Sequence, residues 1–266
     1  MTLLVGVLCS DGVVLGADTA ATFNAGGMST VEQEFHKLFV VGNRVVGACS
    51  GEGGFGQRFR DVVQGLWDSK GFSREKGAMA IAQDISKHFL ANLSDTYVFT
   101  LLNGRPLDFS AMLAFPVGET LHLCEFAPPQ FQPEMKERDG LWYVSQGSGQ
   151  VIADPFLGFI RSAFWDTGPP TVSEGAFAVT WALEHVVEVN PGGVKGPIDL
   201  AVLEPGPKNR ASARILSRDE VGEHSETVAA AVSHLGSFRG KTQNQGDSDP
   251  MPKPPKATAV ANGSKD

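Results

Sequence analysis

No run of lysines and arginines marks this chain, and its formal net charge is −8 with a pI near 5.3. A phosphate-tracking surface is therefore not expected, and nucleic acid is disfavoured as a partner. Apolar runs long enough to cross a bilayer are missing, as is a basic leader with an apolar core before the first strand pattern. Cysteine is scarce. Cys9, Cys49 and Cys124 are an odd count without CxxC spacing, each inside an apolar strand-like run, which reads as buried free thiols. The six histidines (His36, His88, His122, His185, His224 and His234) form no HExxH and no tight ligand pair, so neither a catalytic metal nor a cofactor is expected. A cytoplasmic protein is the reading these absences favour.

Two familiar catalytic loops are missing as well. No GxSxG elbow is present. The segment Gly51-Glu52-Gly53-Gly54-Phe55-Gly56 formally satisfies GxGxxG, but two hairpins precede it where a dinucleotide fold has one strand, and no GK[ST] follows. Its glycines read instead as a close strand–helix approach and a tight turn.

What is present is a well-filled core: 42% of the 266 residues are hydrophobic, enough for one sizeable domain. The chain is organised around MTLLVGVLCSDGVVLGAD. Leu3, Val5, Val7 and Cys9 alternate with Leu4, Gly6 and Leu8, Ser10-Asp11-Gly12 signals a turn, and a second run leads to Asp18. Thr19 to Glu34 reads as a loop. A second hairpin runs through Lys37–Val41, Gly42-Asn43 and Arg44–Cys49, and helices follow to about Trp67 and over Ser73–Leu93. Strands are expected at Phe109–Phe115, Thr120–Phe126, Phe131–Met135 and Leu141–Val144, then helices over Gly149–Phe164 and from Thr171 to Val189. The second of these opens on Thr171-Val172-Ser173-Glu174, a capping pattern. Strands Ile198–Leu203 and Ala211–Leu216 close the pattern.

Hairpins separated by paired helices point to an α+β fold with antiparallel sheets, a four-layer α-β-β-α sandwich in which two sheets lie between two helix pairs. The expected organisation is one domain over 2–217, a helical extension over 218–238 and a disordered polar tail over 239–266, since MPKPPKATAVANGSKD is too poor in apolar residues to order itself.

A strand beginning at residue 2 is unusual, because chain ends normally fray. It makes sense if the end is needed in a fixed place. Methionine removal favours a small second residue, so Thr2 would carry both a hydroxyl nucleophile and, in its α-amine, a base with a reference pKa of about 7.7–8.0.

The N-terminal threonine, the hairpin ending in Gly16-Ala17-Asp18, the Lys37-Leu38 strand, and the Ser50-Gly51 and Gly147-Ser148-Gly149 segments together resemble a proteasome β-type subunit, one of the N-terminal-nucleophile hydrolases. The resemblance spans roughly residues 2–205. Within that family it is strongest to the bacterial single-gene homologues, the HslV-type peptidase and, more so, the bacterial proteasome homologue. It implies a threonine-type endopeptidase in a homo-oligomeric, stacked ring, acting on peptide or unfolded protein, with an unfoldase partner left open. Residue by residue, it makes Thr2 the nucleophile, Lys37 the catalytic lysine and Asp18 its carboxylate. Gly51 becomes the oxyanion-hole N–H donor and Ser148 the partner of the threonine amine, although a serine before a helix also reads as an N-cap. Glu188 takes the offset of a family aspartate. Pro191 stands where the family often has serine and offers neither hydroxyl nor N–H, leaving Asn190 or a water for that place. Ala21, Phe35, Cys49 and Gly53 fall near the positions that shape a mostly apolar substrate pocket; ordinary core packing is the competing reading. Two other functions stay open: a non-catalytic ring or scaffold subunit, favoured by retained Met1, and a small-molecule amidohydrolase of the same nucleophile class.

Overall fold

Antiparallel pairing of β1 (Leu4–Leu8) with β2 (Val13–Asp18) sets the centre of the first sheet. The computed structural model describes residues 2–25, 28–94, 107–165, 167–189, 193–207 and 210–244. Every residue of β1 and β2 is buried. Helices cover one face of these strands and a second sheet covers the other, so alternation gives way to a continuous apolar run.

Chain order then gives β3 (Ala20–Ala25), β4 (Met28–Glu34), β5 (Leu38–Val41), β6 (Val45–Gly51), α1 (Gly53–Asp68) and α2 (Ala78–Asn92). Next come β7 (Phe109–Val117), β8 (Thr120–Ala127), β9 (Gln132–Met135), β10 (Tyr143–Gln146), α3 (Gln150–Phe164) and α4 (Val172–Val189). The last elements are β11 (Ile198–Pro205), β12 (Ala211–Ile215) and α5 (Arg218–Asn244). One five-stranded sheet has the order β10-β1-β2-β11-β12 and the other β5-β6-β7-β8-β9; all their pairings are antiparallel.

Two apolar clusters hold these layers together. One joins the two sheets to α3 and α4, with Val5, Val7, Val46, Met112, Leu123, Leu157, Val179 and Leu183 buried in it. The other packs α1 and α2 on the outer face of the β5–β9 sheet and is rich in phenylalanine. Phe59 is its hub, with Phe39, Phe89, Phe126 and Phe131 ranged around it at edge-to-face angles. The expected four layers are present.

Local signals account for several boundaries. Gly42 and Asn43, at φ +57° and +53°, make the mirror-image turn that suits strand twist between β5 and β6. Thr171 and Glu174 form a reciprocal capping box at α4: Thr171 N–H donates to Glu174 Oε2 at 2.8 Å and Glu174 N–H to Thr171 Oγ1 at 3.4 Å. Ser217 and Glu220 repeat it at α5, at 2.8 and 3.3 Å.

One expectation is corrected. Thr19–Glu34 is not a loop: β3 and β4 form a two-stranded sheet of their own, with a register shift between Phe23 and Asn24. Among the described residues its strands join neither five-stranded sheet, and its sequence lacks the apolar alternation from which a strand is read.

The chain divides into two units, Met1–Val228 and Ala229–Asp266. Among the described residues, the first contains every strand and the second contains the C-terminal part of α5, which ends at Asn244. Met1, Asn190, Pro191 and most of the expected tail lie outside the described residues.

Candidate active site

A cavity of about 1080 Å³ opens where the starts of β5 and β7 and the ends of β6, β8 and β10 meet the N-terminus of the chain. Thr2, Lys37, Gly51, Ser148, Ala21, Phe35, Cys49 and Gly53 all lie on its wall. Asp18 lies behind the wall, fully buried. Glu188 does not join them: it is exposed in the last turn of α4 and is not part of the cavity lining.

Register explains how residues 2, 18 and 37 come together. β1 and β2 pair as a hairpin with Leu4 opposite Ala17, so Asp18 arrives beside the chain start. Leu3 N–H donates to Asp18 Oδ1 at 2.8 Å, and Asp18 N–H donates to Leu3 O at 3.2 Å. Lys37 precedes β5, and its Nζ donates to Asp18 Oδ1 at 2.6 Å and to Ala20 O at 2.7 Å. Ala20 N–H closes the group on Asp18 Oδ2 at 3.3 Å. The carboxylate thus holds both the ammonium and the backbone next to Thr2.

The electrostatics of Lys37 are a contest. Burial pushes its pKa down, whereas the Asp18 contact and the more distant Asp199 charge push it up; burial wins, and Lys37 sits below the ordinary lysine value. A buried ion pair of this kind is weak evidence for stability, but removing one partner would cost about 3–5 kcal/mol. Cys49 differs: desolvation alone raises its thiol well above the ordinary value, which favours the neutral form on the cavity wall.

Ser148 does not cap the helix and hydrogen-bonds the Thr2 nitrogen. The N-cap position of α3 is Gly149, which makes no side-chain cap, while Ser148 Oγ accepts from Thr2 N at 3.1 Å and lies 3.4 Å from Thr2 O. Because Met1 precedes Thr2, that nitrogen is a peptide N–H here; it stands where the α-amine would be after methionine removal. Gly149 N–H donates to Thr2 O at 3.3 Å. Gly147 has φ +99°, and a Cβ there would meet Thr2 O at 2.2 Å, so glycine is required for this close approach.

Gly51 is the other constrained glycine. Its φ is +112°, and a Cβ would lie 2.2 Å from Asp108 O. It ends β6 just before α1, whose first turn carries no acidic residue. Gly53 and Gly54 have open space where a Cβ would be, so they keep the cavity clear and are not the close-packed contacts read from the motif.

Several wall residues were not anticipated. Asp108, just before β7, Glu125 on β8 and Gln146 on β10 are distant in sequence and without a motif. Beside Lys37, His36 Nδ1 is 2.6 Å from Asp199 Oδ2, and Arg218 also pairs with Asp199 at 3.3 Å. Among the described residues no cluster of three metal-ligating side chains occurs, and no helix is long and apolar enough to cross a membrane.

Comparison with known proteins gives a family match to part of the chain and a fold match to most of it. The proteasome subunit family model matches residues 2–104, the segment that supplies Thr2, Asp18, Lys37 and Gly51. No curated protein matches the chain. Among solved structures, the Gly-1 mutant of Anbu from Hyphomicrobium sp. strain MC1 is similar over 89% of this chain and 97% of its own, with a TM-score of 0.61 and 14% identity. At that identity the likeness is one of fold, and it extends the proteasome-like architecture beyond the segment matched by the family model.

Proposed function

Starting from a proteasome-subunit match at the N-terminus and a proteasome-like N-terminal-nucleophile fold, we propose that this protein is a threonine-type endopeptidase. The observation that carries the reading is the set of hydrogen bonds by which Asp18 holds Lys37 and the Leu3 N–H, with Ser148 Oγ on the Thr2 nitrogen. After Met1 removal, Thr2 Oγ attacks the substrate carbonyl. Its proton passes, directly or through a water, to the α-amine, which Ser148 orients. Lys37 stabilises the forming alkoxide, and Asp18 keeps the ammonium charged and in place. Gly51 N–H stabilises the oxyanion of the tetrahedral intermediate. The C–N bond then breaks, the amine product leaves with the proton, and water hydrolyses the threonine ester.

The wall made by Ala21, Cys49 and Gly53 is the apolar side of the substrate pocket, with Phe35 at its rim. A stacked homo-oligomeric ring would enclose this site and keep it from folded cell proteins. Hydrolysis of fluorogenic peptides by wild type, Thr2→Ser and Thr2→Ala tests the chemistry. Activity is expected in the first two and none in the third; equal turnover in Thr2→Ala would overturn it. Native mass spectrometry tests the assembly, for which a monomer is the contrary result.

A further inference from the structure

The cavity has a second wall, formed by β7, β8 and β10, with no part in the proposed bond cleavage. Its centre is Glu125. Register places Glu125 directly opposite Glu134 on β9, an unfavourable pairing of like charges. Lys136, two residues beyond Glu134 on the same face, resolves it by bonding both carboxylates from a position where its side chain is only 3% exposed. Glu125 Oε2 also accepts from Gln146 Nε2 at 3.2 Å, across the space between the two sheets. The carboxylate is therefore fixed at the cavity wall.

Gln146 completes the corner. It is 4% exposed, and its Nε2 lies 3.2 and 3.4 Å from Glu125 Oε2 and Phe126 O, which fixes the sense of the carboxamide. Its Oε1 has no partner among the described residues. The corner thus holds one buried acceptor with no donor, beside a carboxylate whose two oxygens accept from Lys136 and Gln146. The charge balance points the same way. Lys37 is the one cation among the lining residues, and Asp18 already pairs with it. Asp108 and Glu52 are exposed on the wall, with no ion pair among the described residues. A cleft lined by one sign of charge concentrates ligands of the other.

We propose that the Glu125–Gln146 corner is a specificity site for a basic side chain, lysine or arginine, of a peptide lying across the cavity. The inference deepens the peptidase reading and rests on it for the peptide. In the sheet order, β8 lies two strands from β6, about 10 Å, which is about three residues of extended chain. The basic residue is thus set apart from the apolar pocket near Cys49 and selects a different position of the substrate.

The test is binding to the Thr2→Ala protein, followed by fluorescence anisotropy. Labelled hexapeptides carry either arginine or its uncharged isostere citrulline, moved along the sequence one position at a time. At one position arginine should bind about tenfold more tightly, about 1.4 kcal/mol. That preference should fall below twofold in Glu125→Gln/Lys136→Met, which removes both charges and leaves neither one unpaired. Asp108→Asn, an exposed change with little risk to folding, should reduce it in part. Equal binding of both peptides at every position, an undiminished preference in both variants, or no peptide binding at all would overturn the proposal. Parallel assays of wild type separate the two claims. Cleavage without an arginine preference would leave the reaction standing and remove the subsite; the preference without cleavage would do the reverse.

Discussion

Lys37 and Lys136 are both buried near this cavity, with side chains 5% and 3% exposed, yet their proton affinities move in opposite directions. Lys37 has one carboxylate, Asp18, and one carbonyl; burial outweighs them and the pKa falls. Burial also opposes the charge on Lys136, but Glu125 and Glu134 together outweigh it and the pKa rises. Lys136 both binds one more carboxylate and lies in the less desolvated surroundings, and the two differences act in the same direction. The difference separates two tasks. Lys37 holds its proton less firmly and suits a site where a charge forms and disappears, whereas Lys136 stays charged and anchors a wall.

The largest expected effect breaks the comparison at its catalytic end. Lys37→Met should lower kcat for peptide hydrolysis by about 10²–10⁴-fold, the range for a group acting in proton transfer or charge stabilisation. A fall of less than threefold would return Lys37 to a structural role. At the other end, Lys136→Met should register first as instability, about 3 kcal/mol in urea unfolding, because Glu125 loses its buried partner. Glu134, with a side chain 66% exposed, remains solvated. Glu125→Gln/Lys136→Met should recover most of that loss; no recovery would mean that the lysine packs more than it pairs.

The pH dependence of stability sharpens the contrast, because the two lysines have opposite signs. The folded pKa of Lys136 is above its unfolded value near 10.5, so its contribution is full below about pH 10.5 and is lost as pH rises through the folded value. The folded pKa of Lys37 is below 10.5, so its burial costs stability at neutral pH, and this cost fades as pH rises from the folded value toward 10.5. In urea titrations, the margin of wild type over Lys136→Met should shrink above pH 10.5. The margin over Lys37→Met should grow on the way up to it. Parallel curves for the two variants would contradict the account. The smallest effect expected is that of Ser148→Ala, about fivefold in kcat, in keeping with one hydrogen bond of roughly 1 kcal/mol.

The legible parts of the fold were those written in local chemistry. The Gly42-Asn43 turn, the Thr171–Glu174 capping box and the apolar run from Leu3 each place an element from a few neighbouring residues. Thr2, Asp18, Lys37, Gly51 and Ser148 were legible through their resemblance to a family, and the structure brings all five to one place. What escaped had no local signature. Among the described residues, the β3–β4 hairpin pairs with neither five-stranded sheet, and its sequence carries no alternation to announce it. Glu125, Glu134 and Lys136 become a unit only through strand register, and Gln146 joins them from the other sheet. Glu188 matched an offset in sequence, but the last turn of α4 leaves it in solvent.

The central claim is that Thr2 is a working nucleophile, and intact mass tests it most directly. Purified protein should have lost Met1 and should gain the mass of one epoxyketone when treated with that probe, with no gain in Thr2→Ala. Retained Met1 without an adduct, or an adduct that persists in Thr2→Ala, would contradict the claim.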